Sequence, residues 1–159
     1  MDLPELLGLL AKPIDSDLVA SFLNKYPSFK VGRPDSAMQY IESKPLGVDL
    51  MFRPDDGLQG GKSKDLRKCQ SVFFYAQGKD GHEQYAGELP LGFKFSDARS
   101  DLLNKAKPQR TWKIGQGEVA IDFTNPSSDH WDQGEMSMSA HYKRTTGAID
   151  YFIVTQKTK

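Results

Sequence analysis

The stretch from Gly87 to Pro108, GELPLGFKFSDARSDLLNKAKP, constrains this chain more than any other, because it carries a start, a body and a stop for one helix. Ser96 is a good N-cap, and Asp97 places negative charge on the first turn, where unpaired amides favour it. Ala98, Leu102, Leu103 and Ala106 then share one helical face. Pro108 cannot continue the helix and disfavours helical geometry at Lys107. An earlier stretch repeats the logic: Asp15-Ser16-Asp17 opens a helix carrying Leu18, Val19, Phe22, Leu23 and Tyr26, and Pro27 stops it. The two bodies close alike, Phe22-Leu23-Asn24-Lys25 against Leu102-Leu103-Asn104-Lys105, and strand-like runs follow each. The expectation is an α+β fold of tandem helix-plus-antiparallel-sheet units, with the helices packed on one face of the sheet. At 159 residues this is a single domain built of two related halves, about 1–86 and 87–159.

The strand signals are of period two. Ser28 to Arg33 and Met38 to Ser43 are short candidates; Val48, Leu50 and Phe52 alternate more clearly. Val72-Phe73-Phe74-Tyr75-Ala76 is a near-continuous apolar run, the pattern of a strand covered on both faces. In the second half Gln109 to Ile114, then Val119, Ile121 and Phe123, then Met136, Met138, Ala140 and Tyr142, predict strands. Thr145-Thr146-Gly147 is a hairpin turn before a last strand with Ile149, Tyr151 and Ile153 on one face and Phe152 and Val154 on the other. Pro54 to Lys68 and Thr124 to Gly134 are polar and predict loops. Leu3, Leu6, Leu7 and Leu10 space a short N-terminal docking helix; acidic Asp2 and Glu5 stand where a secretory leader carries basic residues, so a cytoplasmic chain is expected.

Several chemistries lack their residues. One cysteine, Cys69, allows no internal disulfide and no thiolate zinc cluster. The glycine-rich run Gly57 to Ser63 has Asp56 where a phosphate loop needs its first glycine. His82, His130 and His141 show no metal-ligand spacing, and no nucleophile elbow is present, so the expectation is no metal, no cofactor and no catalysis. Zero formal net charge argues against a nucleic-acid binder, and no segment is long enough to span a bilayer.

Charge is distributed unevenly. Glu118, Asp122, Asp129, Asp132 and Glu135 fall between Gln116 and Glu135, a stretch without lysine or arginine. Trp131 lies among them, either projecting as an aromatic anchor for a partner or folded back onto the sheet.

Three sets of residues resemble a group of bacterial immunity proteins that accompany secreted polymorphic toxins. They are Leu6-Leu7-Gly8-Leu9-Leu10-Ala11-Lys12-Pro13 followed by Asp15 to Leu23; Tyr85 to Phe93 running into Ser96-Asp97-Ala98-Arg99; and Asp129 to Tyr142 followed by Gly147-Ala148-Ile149. Ala106-Lys107-Pro108 departs from that group, which often has Leu-Gly before the helix-ending proline. The resemblance implies a protein that binds and neutralises a cognate toxin, a nuclease domain being favoured, by occluding its active site. On that hypothesis the acidic stretch and its aromatic neighbours supply the toxin-binding residues, Glu118, Asp122, Asp129, His130, Trp131, Asp132, Glu135 and Tyr142. The basic Pro54 to Lys68 loop is a second candidate interface, and exposed sheet edges leave a homodimer open. The alternative is a small ligand-binding or regulatory interaction domain without catalysis.

Overall fold

The computed structural model describes residues 1–54 and 67–157. The glycine-rich run at 57–63, and with it most of the expected basic loop, lies outside the described residues. In chain order the elements are α1 (Leu3–Leu7), α2 (Asp17–Lys25), β1 (Lys30–Val31), β2 (Gln39–Ser43), β3 (Val48–Pro54) and β4 (Arg67–Tyr75). Next come 3₁₀ turns at Lys79–Gly81 and Pro90–Gly92, then α3 (Arg99–Lys105), β5 (Arg110–Lys113), β6 (Gly117–Val119), β7 (Ser128–Gln133), β8 (Met136–Tyr142) and β9 (Ile149–Gln156). Among the described residues nine strands form one sheet in the order β1-β2-β3-β4-β9-β8-β7-β5-β6, and every neighbouring pair is antiparallel. The first four strands and the last five meet at β4 and β9, where Phe73 lies opposite Ile153.

This corrects the expected architecture of tandem helix-plus-sheet units with helices layered on the sheet. The described residues form one continuous antiparallel sheet, and the α-helices among them have only five, nine and seven residues. Nine strands span roughly 40 Å across the hydrogen-bonding direction. The longest helix is about 13 Å long, too short to serve as a covering layer. Leu6, Val19, Phe22 and Leu102 do enter the core, but extended segments contribute Phe29, Tyr85, Leu89 and Phe93 beside them.

Local corrections follow the same physics. Ser16 caps α2 through a bond from the Val19 amide, as its position predicts. The third helix instead begins at Arg99, with Ala98 as its N-cap, two residues after the Ser96 cap expected. Asp97 accepts from the Lys94 amide and from Lys105 Nζ, while Asp101 accepts from the Ala98 amide at 2.8 Å, so the aspartates set the start rather than the serine. The strand expected through Phe123 ends at Val119, after which the Phe123 amide bonds back to the Ala120 carbonyl. The polar segment expected as a loop from Thr124 to Gly134 contains β7.

Antiparallel register sorts the side chains into two faces. Ile41, Leu50, Val72, Val154, Met138 and Trp131 stand in one row, each strand opposite the next, and all are buried. Val48, Phe74, Phe152 and Ala140 form the next row of this core face. Gly47 turns the β2–β3 hairpin with φ +68°, and a Cβ there would collide with the Glu83 carbonyl oxygen. Glycine thus lets the 82–85 segment press against the hairpin, which seats His82 on the opposite face.

Candidate functional site

That opposite face is the candidate site. Its rows read Asp49, Phe73, Ile153, Ser139, His130 and Arg110, and then Tyr75, Tyr151, His141, Ser128, Trp112 and Glu118. Most of these side chains are half-buried or exposed, as on a sheet face that lacks a covering layer among the described residues. Aromatic contacts run across it. Tyr40 meets Phe73 edge-on at 6.2 Å, Phe73 stacks on Tyr75 at 6.2 Å, and His141 stacks on Tyr151 at 4.4 Å and only 5° from parallel. Hydroxyls fix the imidazoles: Ser128 Oγ lies 3.0 Å from His130 Nε2, and Ser139 Oγ 2.8 Å from His141 Nε2. The Ser71 and Thr155 hydroxyls bond each other at 2.9 Å.

The two imidazoles are held neutral. Burial, and then the neighbouring His130, push His141 down to about 4; burial and then Arg110 lower His130. An uncharged ring costs less to desolvate than an imidazolium, so at neutral pH this part of the face is suited to being covered. The same shift makes a prediction about folding. Unfolded histidine takes up a proton near pH 6.5, which the folded His141 refuses until about 4. Stability is therefore expected to be whole above about pH 7 and to fall as pH drops from about 6.5 towards 4. Urea melts at about pH 7.5 and about 5.5 should show that drop reduced in His141→Phe, which keeps a ring on Tyr151 but cannot titrate.

The structure does not gather the eight residues expected at the interface. His130, Asp132 and Glu118 lie on the open face or its margin, with Asp132 paired to Lys157 at 3.1 Å. Glu135 is exposed in the β7–β8 turn. Asp122 lines a separate cleft of about 300 Å³ with Arg99, Asn125 and Tyr142. Trp131 is 1% exposed on the core face, edge-on to Phe93 at 5.0 Å, and its indole N–H donates to the Ala106 carbonyl at 2.9 Å. It folds back onto the sheet, so of the two dispositions open to it the anchor is excluded.

Asp129 and Tyr142 are together, but inside. Asp129 is fully buried and accepts from Arg99 Nε at 2.7 Å, Arg99 Nη2 at 3.0 Å, Thr111 Oγ1 at 2.6 Å and Tyr142 OH at 2.6 Å. Burial alone would raise its carboxyl, but the bonds from Arg99, Thr111 and Tyr142 outweigh burial and hold it below the usual carboxylate range. Burial, and then the Asp129 charge, push the Tyr142 phenol up. Arg99 Nη2 also donates to the Ile121 carbonyl at 2.6 Å, tying α3 to the chain after β6. This network holds the second half of the sheet together; it presents little of itself outward.

Sequence reasoning passed over Tyr40, Phe73, Tyr75, Tyr151, His141 and Trp112 as a surface. They come from β2, β4, β9, β8 and β5 and meet only through register. The outward face of β9, Tyr151 and Ile153, was the available signal.

Among the described residues, fold and face together define one antiparallel sheet with a covered side and an open, aromatic side. Its fold is similar to that in the crystal structure of an extracellular protein containing a SCP domain from Bacillus anthracis str. Ames, with a TM-score of 0.55 and 10% sequence identity. The match covers 95% of this chain and 45% of that one, so this chain spans less than half the length of that protein, and the likeness is one of fold alone. Neither a protein-family model nor a curated protein matches the chain. Among the described residues no group of three or more His, Cys, Asp or Glu converges as a metal site, and no helix is long and apolar enough to cross a membrane.

Proposed function

We propose that this chain is a non-catalytic binding protein that neutralises a cognate secreted antibacterial toxin in the cytoplasm, docking the toxin on the open sheet face. The observation that carries the binding role is that face itself. Tyrosine, serine, histidine and tryptophan side chains stand in register across the five adjacent strands β4, β9, β8, β7 and β5, many already held by stacking or hydroxyl bonds. Rigid amphipathic rings interleaved with small hydroxyls give large contact area at low entropic cost, the composition that protein-recognition surfaces favour. The toxin as partner rests on the resemblance of the helix, junction and closing motifs to immunity proteins; a nuclease domain is the favoured class, occluded at its active site. A homodimer through the sheet edges would have only the two-residue β1 and the three-residue β6 to pair, so the face is the larger surface.

The test is calorimetry of the chain against the product of the adjacent gene. A one-to-one complex of nanomolar affinity or tighter is expected, and no detectable binding sinks the reading of direct neutralisation. Tyr151→Ala, near the centre of the face, should then weaken the complex by about 2 kcal/mol or more. Unchanged affinity in that variant would move the interface elsewhere.

A further inference from the structure

One end of the open face holds a cleft of about 250 Å³ lined by Tyr40, Glu42, Lys44, Asp49, Phe73, Tyr75, Asp80 and His82. Its aromatic walls are continuous: Tyr40 meets Phe73, Phe73 stacks on Tyr75, and Tyr75 stacks on His82 at 3.9 Å. Its charge is predominantly acidic. Glu42 is exposed and makes no ion pair among the described residues, although Lys30 stands across from it on β1. Asp49 is buried at the base, 2.8 Å from His82 Nε2, and Asp80 is exposed at the rim with Lys79 Nζ 3.9 Å from its carboxylate, which leaves Glu42 as the carboxylate most open to an incoming cation. The single lysine of the lining, Lys44, donates to the Asp80 carbonyl at 3.1 Å and is thereby engaged at the rim. The same face already shows what its rings accept: Lys79 Nζ sits 5.6 Å from the centre of the Tyr151 ring while pairing with Asp150 at 3.4 Å. Ring and carboxylate together hold a cation there. The cleft repeats that pairing of ring and carboxylate beside an opening.

We infer that this cleft receives a basic side chain, arginine in preference to lysine, presented by the protein that docks on the open face. A guanidinium is planar and weakly hydrated, so it stacks on ring faces while its N–H groups bond carboxylates, and an ammonium cannot do both as well. The inference rests on the open face being the docking surface and adds the chemistry of what arrives there: a partner with a positive patch, oriented so that its basic residue meets β2 and β3 rather than the Arg110 end.

The cleft can be tested without the partner. N-acetyl-arginine amide is titrated into the full chain and followed by amide shifts of Phe73, Tyr75 and His82, with the citrulline analogue as a neutral probe of the same shape. Saturable shifts with an affinity on the order of millimolar are expected for arginine and not for citrulline. Glu42→Gln, an exposed change, should weaken arginine binding about three-fold or more, and Tyr40→Leu should weaken it also, while Ile114→Ser, an exposed change between β5 and β6, should leave it unchanged. Equal shifts from both probes, no saturation, or indifference to Glu42→Gln and Tyr40→Leu together would overturn the assignment. Because this titration reads the cleft alone, its failure beside an intact toxin complex removes the arginine site and leaves the docking function. Success without any toxin complex supports the site and removes the function.

Discussion

Asp129→Ala is expected to cost about 3–5 kcal/mol of folding stability, the usual loss when one partner of a buried ion pair is removed. Domains of this kind have only about 5–15 kcal/mol in all, so the variant should approach the edge of folding. The reason lies in what the carboxylate leaves behind. Arg99, half-buried along the cleft it lines, would keep its charge with the Ile121 carbonyl and Tyr142 but no carboxylate, and the Thr111 and Tyr142 hydroxyls would lose their acceptor inside the sheet. Tyr142→Phe removes one donor and leaves the ion pair, so about 1–2 kcal/mol is expected. The double variant Arg99→Met with Asp129→Leu should recover much of the loss, because apolar groups of similar size remove the need for a counter-charge. Urea melts of the three variants decide this, and a loss below about 1 kcal/mol in Asp129→Ala would remove the network from any account of stability. The pH dependence has a definite sign. Because the folded carboxyl ionises at lower pH than the unfolded one, its contribution is complete above about pH 5 and fades as pH falls below about 4.

Asp129 also explains the part of the fold that was hardest to read in the sequence. Ser128–Gln133 alternates correctly, with Asp129 and Trp131 facing inward and Ser128, His130 and Asp132 facing outward. An aspartate at an inward position makes such a strand look like a polar loop, and only its distant partners, Arg99, Thr111 and Tyr142, reveal why it is tolerated. By contrast β8 and β9 were legible, because Met138, Ala140, Phe152 and Val154 keep the apolar period unbroken. So was α2, where Ser16 caps and Val19 and Phe22 face the core, although Leu18 on the expected apolar set remains 48% exposed. The continuity of the sheet had no local signal, since β4 and β9 lie more than seventy residues apart and pair through backbone groups that carry no side-chain signature. The open face escaped notice for the same reason. Phe73 looked like one of a run of buried residues, when its outward ring belongs to a surface shared with Tyr40, Tyr75 and Tyr151.

Trp131→Ala is the second large effect, and it separates folding from binding. The indole is 1% exposed, packs edge-on against Phe93, and bonds the Ala106 carbonyl where α3 ends. Truncation removes a large apolar body and leaves a cavity between α3 and the core face, so a loss of about 3–5 kcal/mol in urea melts is expected. Any weakening of toxin binding in this variant would follow from the damaged sheet. Trp112→Ser supplies the contrast, because that ring is 39% exposed on the open face rather than enclosed in the core. Its stability should stay within about 0.5 kcal/mol of the parent, so a loss of affinity there would report on the surface. If Trp131→Ala were as stable as the parent and still failed to capture the toxin, an interfacial role for Trp131 would return and the open face would lose its claim. A destabilised Trp131→Ala beside a stable, weakly binding Trp112→Ser places recognition on the outward side of the sheet and architecture on the inward side.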